Sequence, residues 1–160
     1  MPALLTEGLL SQHPFVKGAS EEFLNELEEF ARETSFEAGA IILAEGAYAD
    51  KCFLIRHGRV QLEARANGNP PVLLQTLGPG GILGWSWLYP PFQWHFTARA
   101  IERCEMIELN AVSLMIRTEE NPVFGYELMK RISMQLIHRL EAARDRLVRT
   151  HARQNCQGKN

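Results

Sequence analysis

The stretch Gly80–Ala100, GGILGWSWLYPPFQWHFTARA, decides how this chain is to be read. It holds all three tryptophans, Trp85, Trp87 and Trp94, beside Phe92, Phe96, Pro90, Pro91, His95 and Arg99. Large rings left in water invite aggregation, so such a cluster either fills a core or lines a pocket. Upstream of it, short apolar runs are punctuated by glycine. Ile41–Leu43 follows Gly39, Phe53–Ile55 follows Gly46, and Val60 with Leu62 follows Gly58. Val72–Leu77 follows Asn67-Gly68-Asn69-Pro70-Pro71, and Met106–Leu109 follows Glu102–Glu105. Strand-length runs with turn signals roughly every ten residues predict an antiparallel sandwich or barrel, here about eight strands. Arg56-His57-Gly58-Arg59 reads as a tight hairpin turn, Gly58 supplying the positive φ.

Helices flank these strands. Leu4, Leu5, Leu9 and Leu10 are spaced for a short N-terminal helix within residues 1–12. Ser20 is a good N-cap and Glu21 and Glu22 suit the helix dipole. Phe23, Leu27, Phe30 and Ala31 then share one face, which predicts a helix over Ser20–Glu33. Residues 13–122 are read as the β-rich body, closed by a short helix over Ala111–Arg117 that Asn121-Pro122 stops. From Val123 to about His151, Met129, Ile132, Leu136, Leu140, Ala143 and Leu147 recur at spacings of three and four. That is a helix of about 28 residues, roughly 42 Å long. A small barrel cannot cover it all, so the seam is expected to join two copies as a homodimer. Residues 152–160 are expected to be a flexible tail.

At 160 residues, with 46% apolar and 22% charged side chains, the chain has the make-up of one globular domain. The net charge of −2 argues against an overall nucleic-acid footprint. Charge is uneven: residues 1–50 carry ten Asp/Glu against two Lys/Arg, and residues 130–160 carry eight Lys/Arg against two Asp/Glu. Such asymmetry reads either as solvated helix faces or as an interaction surface. Cys52, Cys104 and Cys156 lack metal-ligand spacing, and the first two fall at strand positions expected to bury free thiols, which fits a reducing cytoplasm. Neither a membrane span nor a signal peptide is expected. Five dispersed histidines predict no metal site. Gly84-Trp85-Ser86-Trp87-Leu88 lacks the second glycine of a nucleophile elbow, so Ser86 reads as a turn residue and no catalysis is expected.

Several phrases together resemble the cyclic-nucleotide-binding domains of the catabolite-activator (Crp/Fnr-like) type. Phe36-Glu37-Ala38-Gly39-Ala40-Ile41-Ile42 with Glu45-Gly46 is similar to that family's opening strands. Asp50-Lys51-Cys52-Phe53-Leu54-Ile55-Arg56-His57-Gly58-Arg59-Val60 is similar to its central turn, and Leu77-Gly78-Pro79-Gly80-Gly81-Ile82-Leu83-Gly84 to the run into its phosphate-binding cassette. Thr97-Ala98-Arg99-Ala100 resembles the cassette's exit. The resemblance spans about residues 13–148. It implies a mainly β fold, an antiparallel jelly-roll-like β-roll with N-terminal helices and a long C-terminal helix. It also implies a regulatory rather than enzymatic role.

In that family a Glu after the cassette glycine takes the ribose hydroxyl and an Arg pairs the cyclic phosphate. Here the two positions are Trp85 and Trp94, and the position after the Arg is His95. Losing the Arg contact alone is worth about 1.5–3 kcal/mol, roughly 10–150-fold in affinity. Backbone donors of Ser86, Trp87 and Leu88 remain available to an anion. Arg99 sits where the chain leads away from the phosphate, and His95 adds a cation when protonated. The cassette candidates are Gly84, Trp85, Ser86, Trp87, Leu88, Trp94, His95, Phe96, Thr97 and Arg99. Three readings stay open: aromatic packing has closed the pocket and left a protein-interaction scaffold, the pocket takes a different small ligand, or it binds cAMP or cGMP through atypical contacts. In the second and third readings, a ligand at Gly84–Thr97 would reposition the Val123–Arg149 helix. Only His151–Asn160 follow that helix, so no helix-turn-helix and no sequence-specific DNA binding are expected.

Overall fold

The computed structural model describes residues 3–158. Among the described residues nine strands form two antiparallel sheets. One has the order β1 (Ala3–Leu4), β2 (Ala31–Phe36), β9 (Cys104–Asn110), β4 (Lys51–His57), β7 (Ile82–Leu83). The other has the order β3 (Ile41–Leu43), β8 (Thr97–Ala100), β5 (Val60–Ala66), β6 (Asn69–Leu77). Phe53, Leu54, Ile55, Val60, Leu62, Ala98, Met106, Ile107 and Leu109 are buried in the core of the resulting β-roll. Helices α1 (Glu21–Glu28), α2 (Ala111–Glu120) and α3 (Pro122–Gln157) pack outside it. The expected class, a mainly β roll with flanking helices and a long C-terminal helix, is the observed one.

Local boundaries differ in physically instructive ways. The N-terminal segment is no helix: Ala3 and Leu4 pair with Glu33 and Arg32, and only Leu10–Gln12 make a single 3-10 turn. Gly8, at φ +74°, breaks the helical run, and the Thr6 N–H donates to the Glu33 carboxylate at 2.7 Å. Helix α1 starts as expected, with Ser20 Oγ accepting from the Phe23 N–H, but ends at Glu28 rather than Glu33. Ala31–Phe36 are drawn instead into a six-residue ladder with β9, a tertiary pairing that overrides the local helical phase.

Arg56–Arg59 is a tight turn but not a hairpin. Strand β4 lies in one sheet and β5 in the other, so the chain crosses between layers at Gly58. Its φ is +89°, and a Cβ there would meet Arg103 O at 2.5 Å. The true hairpin joins β5 to β6 through Asn67-Gly68, while Pro70 and Pro71 lie within β6. That strand is the sheet's edge, where a missing N–H is tolerated. Helix α2 runs to Glu120, three residues beyond Arg117. Helix α3 has 36 residues and extends through Gln157, so residues 152–157 are helical rather than a flexible tail.

Where α1 meets α2 and α3, part of the N-terminal acid is met by Arg117 of α2. Arg117 pairs with Glu26 and Glu29, both at 2.9 Å, and Phe23 stacks on Phe124 with centroids 5.1 Å apart. Arg131 reaches the Phe15 carbonyl at 2.8 Å. Cys52 and Cys104 are buried and Cys156 is exposed, all free.

His13 is a buried imidazole, 4% exposed, between the N-terminal 3-10 turns. Its Nδ1 accepts from the Phe15 N–H at 3.1 Å, so Nε2 carries the proton and donates to Ile55 O at 2.9 Å. Burial holds it below the ordinary histidine value, with Arg56 adding to the lowering against the Ile55 hydrogen bond. The unfolded imidazole therefore takes up its proton first, and stability present above about pH 6.5 is lost as pH falls through the folded value. Urea unfolding against pH is expected to show this acid-side loss starting just below about pH 6.5, and His13→Gln is expected to flatten it.

Candidate functional site

The cassette bridges the two sheets. Strand β7 is fixed in the first by Phe53↔Leu83 and Leu54↔Ile82, and β8 leaves through the second, between β3 and β5. Between them Ser86–Leu88 form a three-residue 3-10 turn whose Leu88 N–H donates to Trp85 O at 3.0 Å. That donor is therefore engaged within the turn.

Trp94 is 4% exposed and clamped by its backbone, its N–H donating to Ala47 O at 2.9 Å and its carbonyl accepting from the Gly46 N–H at 2.8 Å. Its ring lies against Gly84. A Cβ on that glycine, at φ +91°, would stand 2.9 Å from two atoms of the Trp94 ring and 3.1 Å from Lys51 O. Trp87 is 3% exposed, and its Nε1–H donates to the Gly84 carbonyl at 3.1 Å. Gly84 is thus enclosed by two indoles, and the glycine is required because the Trp94 ring takes the space a side chain would need.

Trp85 packs edge-on against buried Phe96, with centroids 6.0 Å apart, and carries a cation on its face. The Arg139 guanidinium of α3 sits 4.1 Å from the Trp85 ring centroid. Its Nη2–H donates to the Ile82 carbonyl, while its Nη1 is buried without a hydrogen-bond partner. Burial pushes this guanidinium down to about 10, which leaves it charged at neutral pH. Burial likewise pushes the neighbouring Cys52 thiol up to about 12.

The structure brings Gly84, Trp87 and Trp94 into one packed unit, Trp85 and Phe96 into a second, and Ser86 with His95 into a third. Ser86 Oγ lies 3.1 Å from His95 Nδ1, so the buried hydroxyl is satisfied by an exposed imidazole. Leu88 is half-buried against the core. Thr97 Oγ1 accepts from the Glu45 N–H at 3.1 Å and ties the cassette exit to the loop after β3. Arg99 is turned away, pairing with Glu63 at 3.3 Å and donating to Gly39 O at 3.2 Å. A hollow of about 180 Å³ borders the cassette on its α2 side, lined by Tyr48, Ala49, Trp87, Phe92, Ala111, Val112 and Met115.

The helical seam divides. Ile132 is 3% exposed, and Met129 and Leu136 pack against this chain's own core. Leu140 and Leu147 are 71% and 72% exposed, and Ala143 is exposed as well. The cassette residue that sequence reasoning missed is Arg139. Its signal was readable, because it lies seven residues after Ile132 and three after Leu136, in the buried phase of the helix.

No helix among the described residues is long and apolar enough to cross a membrane. No cluster among them has the His, Cys, Asp and Glu needed to hold a metal ion.

Comparison with known proteins agrees with the geometry. The family model described as cyclic nucleotide-binding domain matches residues 33–117. A cyclic nucleotide-binding protein of Geobacter metallireducens GS-15 is 27% identical, with a TM-score of 0.73 over 82% of this chain and 95% of that one. The catabolite activator protein of Thermus thermophilus is 21% identical, with a TM-score of 0.65 over 84% of this chain and 63% of that one. The potassium channel KOR2 of Oryza sativa subsp. japonica is 24% identical over 66% of this chain. The chain spans only 15% of that channel's length and 12% of the length of a second matching channel, from Arabidopsis thaliana. With the family model covering more than half of its residues and the β-roll formed as described, the chain belongs to the cyclic nucleotide-binding domain family.

Proposed function

We propose that this chain is a non-enzymatic regulatory module whose cassette does not bind cAMP in the family's usual mode. The observation that carries the reading is the packing of Trp94 onto Gly84, at the position where the family resemblance puts the phosphate-pairing Arg. Trp85, at the expected Glu position, is engaged with Arg139 and Phe96. A cyclic phosphate entering there meets indole rings instead of a guanidinium and a carboxylate. Any ligand of the cassette has to suit that surface, which favours a planar or apolar group over a charged one.

The module acts through α3. Arg139 joins the cassette to that helix, so displacement of Trp85 moves the helix that carries Leu140 and Leu147. Those leucines, with Ile137 and Val148 at 49% and 59% exposure, form an apolar strip that a second copy covers as a homodimer. The setting is a reducing cytoplasm, consistent with three free cysteines.

A thermal-shift series with cAMP, cGMP and planar apolar ligands tests the reading. The expected result is no shift with either cyclic nucleotide at a concentration that saturates an ordinary family member. A several-degree shift with cAMP that Trp94→Ala abolishes supports direct nucleotide binding and overturns it.

A further inference from the structure

Beyond Arg139 the side of α3 turned to the roll stops being apolar. Ala142, Asp145, Arg146, Arg149, Thr150 and Arg153 recur along one face and look across a cleft of about 630 Å³ at Gln75 and Thr76 of β6. Ile137, Leu140, Leu147 and Val148 lie on the opposite side of the same turns, as the helical period requires. A helix packed on a sheet ordinarily buries an apolar face. Closing three guanidinia against β6 without counter-charge would be costly, so the gap stands open.

The described ion pairs engage Arg56, Arg59, Arg99, Arg103, Arg117 and Arg131, but none engages Arg146, Arg149 or Arg153. Arg146 donates to the Leu74 carbonyl, which holds it at the mouth of the cleft. The lining offers three guanidinia, the Thr76 hydroxyl and one amide, opposed by the single carboxylate of Asp145; the Thr150 hydroxyl is engaged, donating to the Arg146 carbonyl at 2.9 Å. It contains no aromatic ring and Ala142 is its one apolar residue, so nothing in it selects a particular base or encloses an acyl chain. The arginines step along about 10 Å of helix, which suits several phosphate groups in line better than one. The volume falls within the usual range of small-ligand sites, about 300–1,000 Å³.

We infer that the cleft between β6 and α3 binds a free oligophosphate, held by Arg146, Arg149 and Arg153 from the helix and by Thr76 from the strand. This site is separate from the cassette and does not depend on what the cassette binds.

Calorimetric titration of the full chain with sodium tripolyphosphate at low salt tests the assignment. One saturable site is expected, weakening as salt rises, with ATP binding within about threefold because no ring is read. Arg149→Ala with Arg153→Ala, at solvent-exposed helix positions, is expected to weaken binding by about 100-fold or more, at tenfold or more for each charged contact. Thr76→Glu enters the cleft from the other wall and is expected to weaken it at least tenfold, with the thermal unfolding curve unchanged. Absence of saturable binding by wild type, or wild-type affinity in Thr76→Glu, overturns the inference. So does a short single-stranded oligonucleotide that binds far more tightly than tripolyphosphate.

Discussion

Trp94→Ala is expected to lower the free energy of unfolding by about 3–5 kcal/mol, the range for deleting a large aromatic side chain from a core. Trp94 is as buried as the core leucines, and its neighbours are held by backbone hydrogen bonds that cannot collapse into the space it leaves. Gly84→Ala is expected to cost about 1–3 kcal/mol through its positive φ alone, and more through contact with the Trp94 ring. The two changes share one space, so their effects should not add. In the Trp94→Ala background the ring contact is gone, and Gly84→Ala should cost visibly less than it does in wild type. Urea unfolding of the four proteins in the cycle measures this. Strict additivity would mean that the indole does not rest on the glycine.

Leu140→Glu with Leu147→Glu is expected to convert a dimer into a monomer without changing the fold of the roll. Each leucine buried on association contributes about 1.5–3 kcal/mol, and two copies bring four of them. Losing that area and placing like charges across the seam shifts the dissociation constant by at least about ten-thousand-fold. Light scattering reads the mass, and far-UV circular dichroism shows that the secondary structure is intact. Leu136→Glu would be a poorer choice, because that side chain packs on its own chain's core. A wild-type monomer at micromolar concentration, or a double variant that keeps wild-type mass, would sink the seam argument.

How much of this was legible in the sequence differs from element to element. Glycine spacing located the strands, because Gly46, Gly58 and Gly84 all adopt positive φ where runs of apolar residues begin or end. Partner choice was not legible. A tight turn at Gly58 reads the same whether β4 and β5 pair or part, and only the ladders of β4 with β9 and β5 with β6 and β8 decide it. Leu4, Leu5, Leu9 and Leu10 satisfied a helical spacing, yet a glycine and an edge pairing with β2 outweighed it. In the cassette, counting from Gly84 and back from Thr97 is what assigns Trp85 and Trp94 to the positions where the resemblance expects charged groups. The packing of Trp94 on Gly84 needed coordinates, since it depends on a loop closure with Gly46 and Ala47 far away in sequence. For Arg139 the helical phase was readable and marked it as turned to the roll, but the Trp85 ring that it covers was not legible.

The central claim is that indoles occupy the two places where a cyclic nucleotide would find its charges. Calorimetric titration of the wild-type chain with cAMP tests it most directly. The expected result is no saturable binding, a dissociation constant weaker than about 1 mM. Stoichiometric binding at micromolar concentration, lost in Gly84→Ala, would show that the site is open and would contradict the account.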